Sequence, residues 1–259
     1  MASDLTDDGA LSGRLRLLQP RRGHRFGHDA ILLAAATSAR EGDLGAELGA
    51  GIGAAGLALA LRVAGARVWL VEIDPALAAL AAENARRNGL ADRVEAVALD
   101  VGAAAAAFAR AGLPPGSCDF VLMNPPFNDP ARHQASPQPH RRLAHASPAG
   151  ALPMWVETAA RLLRPSGLLT VIYRADAFDR LMAVLAPGFG AITLMPVQPK
   201  AETNAIRVIV RAVKGSRAPC AIAPGLVLAQ ADGQSTAAAE AVLRDGAPLP
   251  WQWGRRLEG

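Results

Sequence analysis

The residues best suited to chemistry fall in two groups. The first is the run Glu47-Leu48-Gly49-Ala50-Gly51-Ile52-Gly53, followed by Glu72-Ile73 and by Asp100-Val101. The second is Asn124-Pro125-Pro126-Phe127. Glycines in such a run allow a tight turn and bring backbone N–H groups close to a ligand at a helix N-terminus. An acid at Glu72 is placed to accept both hydroxyls of a ribose. In the second group, the Asn124 side-chain oxygen and the Pro125 carbonyl are two acceptors. Two acceptors can hold the two N–H groups of a conjugated amine and favour positive charge building on its nitrogen. The flanking prolines fix φ and pre-organise the turn. Phe127 offers a ring on which a planar base can stack. In isolation, the same four residues also suit a rigid turn after a strand.

The glycine run admits two cofactors. Gly51, Gly53 and Gly56 fit the spacing of a dinucleotide loop, and Glu72 then stands where a nicotinamide enzyme holds its ribose. On glycines and one acid alone the two readings are even. Glu47 tilts the balance, because a carboxylate there repels a pyrophosphate but suits the cationic amine of S-adenosylmethionine. Asp100 is either a contact for an adenine amine or the N-cap of the helix that follows it. Asp74, directly before Pro75, reads as an N-cap.

These residues need a scaffold that brings strand ends to one edge. Apolar segments over 44–50, 67–73, 93–99, 118–123 and 168–173 alternate with helical patterns over 54–63, 76–88, 103–111, 151–163 and 177–185. Such alternation predicts a parallel sheet covered by helices on both faces. Two further strands, near 191–196 and 205–213, have no helix between them and are expected to pair antiparallel. The fold expected is α/β, a Rossmann-like sheet of seven mostly parallel strands with an antiparallel final strand. One domain is expected over 1–259: an N-terminal extension and helix (1–40), a core (41–213) and a C-terminal extension (214–259). Asp29 is a plausible N-cap for a helix over 30–39. A short strand over 226–229 and a helix over 236–244 complete the chain. The long segment 128–148, rich in Pro, His, Arg and Ser, has the size of a functional lid or a disordered loop.

Composition narrows the setting. Hydrophobic residues make up 51% of the chain, enough for a sizeable core. No apolar run has the length of a membrane span, and the acidic, polar first residues lack a secretory h-region. Two cysteines without metal-ligand spacing, and scattered histidines, predict neither a disulfide framework nor a metal site. A reducing cytoplasm is the compartment expected. The net charge is only +4, yet Arg residues cluster over 14–25, 132–142, 207–217 and 255–256. Such clusters suit phosphate contacts and equally suit a solvated surface.

Taken together, Glu47 to Gly53, Glu72 and Asn124 to Phe127 resemble the class I S-adenosylmethionine-dependent methyltransferases that modify amino groups. Leu17-Leu18-Gln19-Pro20, Gly27-His28-Asp29-Ala30-Ile31-Leu32-Leu33 and Lys214-Gly215-Ser216-Arg217-Ala218-Pro219 resemble the bacterial branch containing the tRNA-valine adenine-N6 methyltransferases. The resemblance spans nearly the whole chain. It implies that Glu47, Gly49, Ala50, Gly51, Glu72, Ile73, Asp100, Val101 and Asn124 line the cofactor pocket and that Phe26, Gly27 and Asp29 close over it. Asn124, Pro125, Pro126 and Phe127 would then hold the target. The activity implied is methylation of the N6 amine of adenine in RNA, foremost tRNA. The long basic segment after Phe127 departs from the tRNA enzymes. Ribosomal RNA, DNA and the glutamine of peptide release factors are the alternative targets, and a nicotinamide dehydrogenase is the alternative class.

Overall fold

The computed structural model describes residues 4–23, 25–126 and 148–250. Its centre is a nine-stranded sheet. The core strands are β3 (Leu44–Leu48), β4 (Arg67–Glu72), β5 (Val94–Ala98), β6 (Cys118–Met123), β7 (Leu163–Arg174), β8 (Phe189–Lys200) and β9 (Arg207–Lys214). β3 is paired on one side with β4 and then β5, and on the other with β6 and then β7, all parallel. β9 lies antiparallel between β7 and β8, so the expected hairpin is present. Two short strands not in the expected seven, β10 (Ala221–Ile222) and β11 (Leu226–Ala229), extend the sheet alongside β8.

The sheet is covered on both faces because its strands are apolar on both. In β4, Leu70 faces one apolar layer while the adjacent Val71 faces the other. The first layer is closed by α1 (His28–Ala36), α2 (Ala54–Arg62) and α3 (Pro75–Arg87), with α7 (Ala237–Leu243) at its margin. The second is closed by α4 (Ala105–Arg110), α5 (Pro148–Leu162) and α6 (Phe178–Leu185). Among the described residues no helix is long and apolar enough to cross a membrane.

Local signals set most of the boundaries. Asp74 accepts hydrogen bonds from the N–H groups of Ala76 and Leu77, and Pro75 opens α3, both as the sequence predicts. Asn88 and Gly89 end that helix, with Gly89 at φ +66°. Two caps are corrected. α1 begins at His28 rather than 30, and Asp29 stands in its first turn without capping it. α4 begins at Ala105, so Asp100 is not its N-cap; the Asp100 carboxylate instead accepts from the Gly102 N–H at 2.8 Å and closes a turn.

The N-terminal extension contains a hairpin that the sequence reading did not anticipate, β1 (Leu5–Ala10) with β2 (Leu15–Pro20). Its trace is the alternation of buried Leu15 and Leu17 with exposed Arg14 and Arg16. β2 docks on α3 through two asparagines. Asn84 accepts from the Leu18 N–H and donates to the Leu18 carbonyl, and Asn88 does the same with Arg16. Four residues of helix and two of strand both advance about 6 Å, so two Asn one turn apart can satisfy alternate backbone groups of a strand edge. That edge would otherwise present unpaired N–H and C=O groups.

Candidate active site at the carboxyl edge of the sheet

β3, β4, β5 and β6 all end at one edge of the sheet, bringing the glycine run, Glu72, Asp100 and Asn124 together there. This is the edge where open α/β sheets bind ligands. Gly49, Gly51 and Gly53 adopt φ of +68°, +56° and +84°, a conformation that residues with a Cβ rarely take. The turn is anchored by the Ala50 N–H donating to the Val71 carbonyl at 2.9 Å. A Cβ placed on Gly51 would meet nothing within 4 Å, so its surface is open to a ligand.

Two carboxylates hold this loop. Glu72 is buried; one oxygen accepts from the Gly51 N–H at 2.7 Å and the other from the Asp74 N–H at 2.9 Å. Glu47 is buried beneath the loop and accepts from the Gly56 N–H, inside the first turn of α2, at 2.6 Å. Burial raises the Glu47 carboxyl to about 8, against the opposing hydrogen bond from Gly56, and the nearby Glu72 charge adds to the rise. Gly56 itself serves packing, since a Cβ there would fall 2.4 Å from Leu70.

Around the loop, Ile73 is 51% exposed directly after Glu72, a large apolar side chain without cover. Asp100 is exposed, while Val101 is buried and gives its carbonyl to Thr158 of α5. Ala50 is buried. Asn124 follows β6 directly, and its Oδ1 is buried with no hydrogen-bond partner among the described residues. A buried acceptor without a donor is costly, and sites that await a ligand are where such groups are retained. Pro125 is buried and Pro126 exposed; Phe127 and the segment up to 147 lie outside the described residues.

The remaining candidates lie around the start of α1. Asp29 pairs with Arg207 at 2.8 Å, joining the start of α1 to the start of β9 at the same sheet edge. Phe26 donates its N–H to the buried Gln19 side chain. Phe26 and Gly27 line a cavity of about 460 Å3 with the β1–β2 turn and α7, and none of the glycine-run residues lines it.

Among the described residues, several of the clustered arginines are paired. Arg16 pairs with Asp7, Arg25 with Asp8 and Arg207 with Asp29. Arg211 is buried, donates to Ser38, and is lowered to about 10 by its desolvation. Arg21, Arg22 and Arg217 are exposed. The clusters over 132–142 and 255–256 lie outside the described residues.

Sequence reasoning missed three residues that shape this edge. Asn84 is fully buried on α3 and, besides holding β2, donates to the Ile52 carbonyl of the glycine loop at 3.1 Å. Trp155 and Met154, on α5, pack against Gly49 and Gly102. An Asn among the alanines of an amphipathic helix was a usable signal; the two α5 residues read only as apolar positions.

The chain resembles known proteins along most of its length. Residues 28–200 match the family model "Methyltransferase small domain". A release factor glutamine methyltransferase from Bifidobacterium longum is 34% identical over 159 residues, 56% of this chain and 52% of that protein. A tRNA1(Val) (adenine(37)-N6)-methyltransferase from Bacteroides thetaiotaomicron is 28% identical over 158 residues, 61% of this chain and 62% of that protein. The chain thus spans less than two thirds of the length of both relatives. Among solved structures, a predicted O-methyltransferase from Agrobacterium tumefaciens superposes with a TM-score of 0.71 at 28% identity, over 85% of this chain and 97% of that one. The open Gly51 and the exposed Ile73 fit S-adenosyl-L-methionine. The chain belongs to the methyltransferase small domain family, and S-adenosyl-L-methionine is its cofactor.

Proposed function

We propose that this protein transfers a methyl group from S-adenosylmethionine to the exocyclic N6 amine of adenine in RNA, with tRNA the leading substrate. The observation that carries the reading is the buried Asn124 Oδ1, an acceptor with no donor among the described residues, at the sheet edge that holds the glycine loop. When bound, the cofactor supplies an electrophilic methyl carbon on a sulfonium. Asn124 Oδ1 and the Pro125 carbonyl accept the two N–H groups of the amine and orient its lone pair. Both acceptors gain strength as positive charge develops on nitrogen, which lowers the barrier without a dedicated base. The N–C bond forms as the S–C bond breaks, and the surplus proton leaves the nitrogen for water.

The choice of target rests on the relatives and on the N-terminal segment. The chain spans 62% and 68% of two relatives named as tRNA adenine-N6 methyltransferases, from Bacteroides thetaiotaomicron and Tolumonas auensis. It spans 52% of the Bifidobacterium longum protein named for release factor glutamine. That protein is the more similar in identity, so glutamine of a release factor is the second reading. Adenine and carboxamide nitrogens are both conjugated amines, and one grip suits either. The Phe127 ring and the exposed Arg21 and Arg22 favour a nucleic acid.

The test is transfer of labelled methyl to separate pools of unmodified tRNA, ribosomal RNA, DNA and release-factor protein, followed by digestion and identification of the product by mass. N6-methyladenosine in tRNA is the expected result. Label confined to ribosomal RNA, DNA or protein glutamine would overturn the substrate and retain the grip. Absence of label from every pool would overturn the reaction.

A further inference from the structure

The cofactor loop is open on one side and covered on the other. A Cβ placed on Gly49 would lie 2.3 Å from Trp155 Cη2 and 3.0 Å from Cζ3, whereas one on Gly51 meets nothing. One residue earlier on α5, Met154 Sδ would lie 2.6 Å from a Cβ on Gly102, beside Asp100. The indole therefore rests directly on the bare Cα of Gly49, and its neighbour on α5 rests on the loop that follows β5.

The helix carrying Trp155 is fixed to that edge. The Thr158 hydroxyl donates to the Val101 carbonyl at 2.9 Å, and the Arg161 guanidinium donates to the Ala103 carbonyl at 2.9 Å. Arg161 also lies over the Phe108 ring, 5.4 Å from its centroid. Trp155 is half-buried, so part of its surface remains uncovered. An indole is wide, flat and restricted to two side-chain torsions, which suits it to be a wall at small entropic expense.

We propose that Trp155 is the aromatic wall of the S-adenosylmethionine pocket on the Gly49 side, a positioning residue that holds the loop and contacts the bound cofactor. The proposal rests on the cofactor assignment and is independent of which amine is methylated. It also gives Gly49 a second reason to be glycine besides its positive φ: any side chain there would displace the indole.

Binding of S-adenosylhomocysteine, with no methyl acceptor present, tests it by calorimetry and by tryptophan fluorescence. In the wild-type protein the ligand is expected to change the fluorescence. Trp155→Phe should abolish that change and bind within about threefold of wild type, while Trp155→Ala should bind about tenfold more weakly. Trp69→Phe, which alters a ring packed on Gly112, should keep the full signal. Should Trp155→Ala fail to fold, the Trp155→Phe fluorescence result decides alone. An undiminished signal in Trp155→Phe, or unchanged affinity in a folded Trp155→Ala, would overturn the proposal. Failure of wild type to bind S-adenosylhomocysteine would instead overturn the cofactor assignment, and the wall with it.

Discussion

Glu72 Oε2 accepts a hydrogen bond from the Gly51 N–H at 2.7 Å, linking the end of β4 to the turn after β3. The acid that the sequence suggests for a ribose is thus also the tie that shapes the glycine loop. Its second oxygen holds the Asp74 N–H, so one side chain organises both the loop and the entry to α3. Removing it is expected to act through geometry as well as through lost contact. Glu72→Ala should weaken S-adenosylhomocysteine binding by at least about tenfold, since a hydrogen bond to a charged group contributes on the order of 1.5–3 kcal/mol. Calorimetry on the purified variant checks this, and wild-type affinity would count against the assignment.

Asn124 presents the opposite situation, an acceptor with no donor among the described residues. Asn124→Ala should lower kcat by about 100-fold or more, the scale seen when one pre-organised polar partner of a transition state is removed. Cofactor affinity should be nearly unchanged. Thermal stability should hold or rise, because a buried, unsatisfied polar atom has been deleted. Normal turnover in this variant would remove the proposed grip.

Glu47 predicts a pH dependence of stability. Its carboxyl is raised from 4.5 to about 8, chiefly by burial, so between those values the folded protein holds a proton that the unfolded chain has released. The folded state then binds more protons, and stability falls as pH rises through this window, by at most about 1.4 kcal/mol per pH unit from this group. Glu47→Gln should flatten that fall between about pH 5 and 8. Denaturant melts of the two proteins across the range make the comparison, and parallel curves would show that Glu47 ionises normally in the fold.

Asn84 predicts a coupling between the N-terminal hairpin and the cofactor loop. Its amide donates to Leu18 and Ile52 and accepts from Leu18, with the side chain wholly buried. Asn84→Ala leaves those backbone groups unpaired and should destabilise the protein by about 2–4 kcal/mol. Asn88→Ala, at the exposed end of the same contact, should cost about 1 kcal/mol. Equal, small losses in both would mean that the hairpin docks by apolar contact alone.

The sequence by itself determined the alternation of strands and helices from β3 to β9, the antiparallel return of β9 against β8, and the caps at Asp74 and Asn88-Gly89. These are local properties: apolar periodicity, a proline that fits only a first turn, a glycine that tolerates positive φ. It also marked Glu72, Gly51 and Asn124, because each ends or follows a strand, and a parallel sheet delivers strand ends to one edge. Only the tertiary structure decided what those side chains meet. Glu47 is an acid in any fold, but only burial beside Gly56 raises its pKa. Arg207 and Arg211 look like a basic cluster in the chain, yet one closes an ion pair with Asp29 and the other is desolvated against Ser38. Trp155 and Asn84 gain their meaning from partners 106 and 32 residues away, Gly49 and Ile52. Charge and periodicity are written along the chain, whereas burial and long-range pairing exist only once the layers have packed.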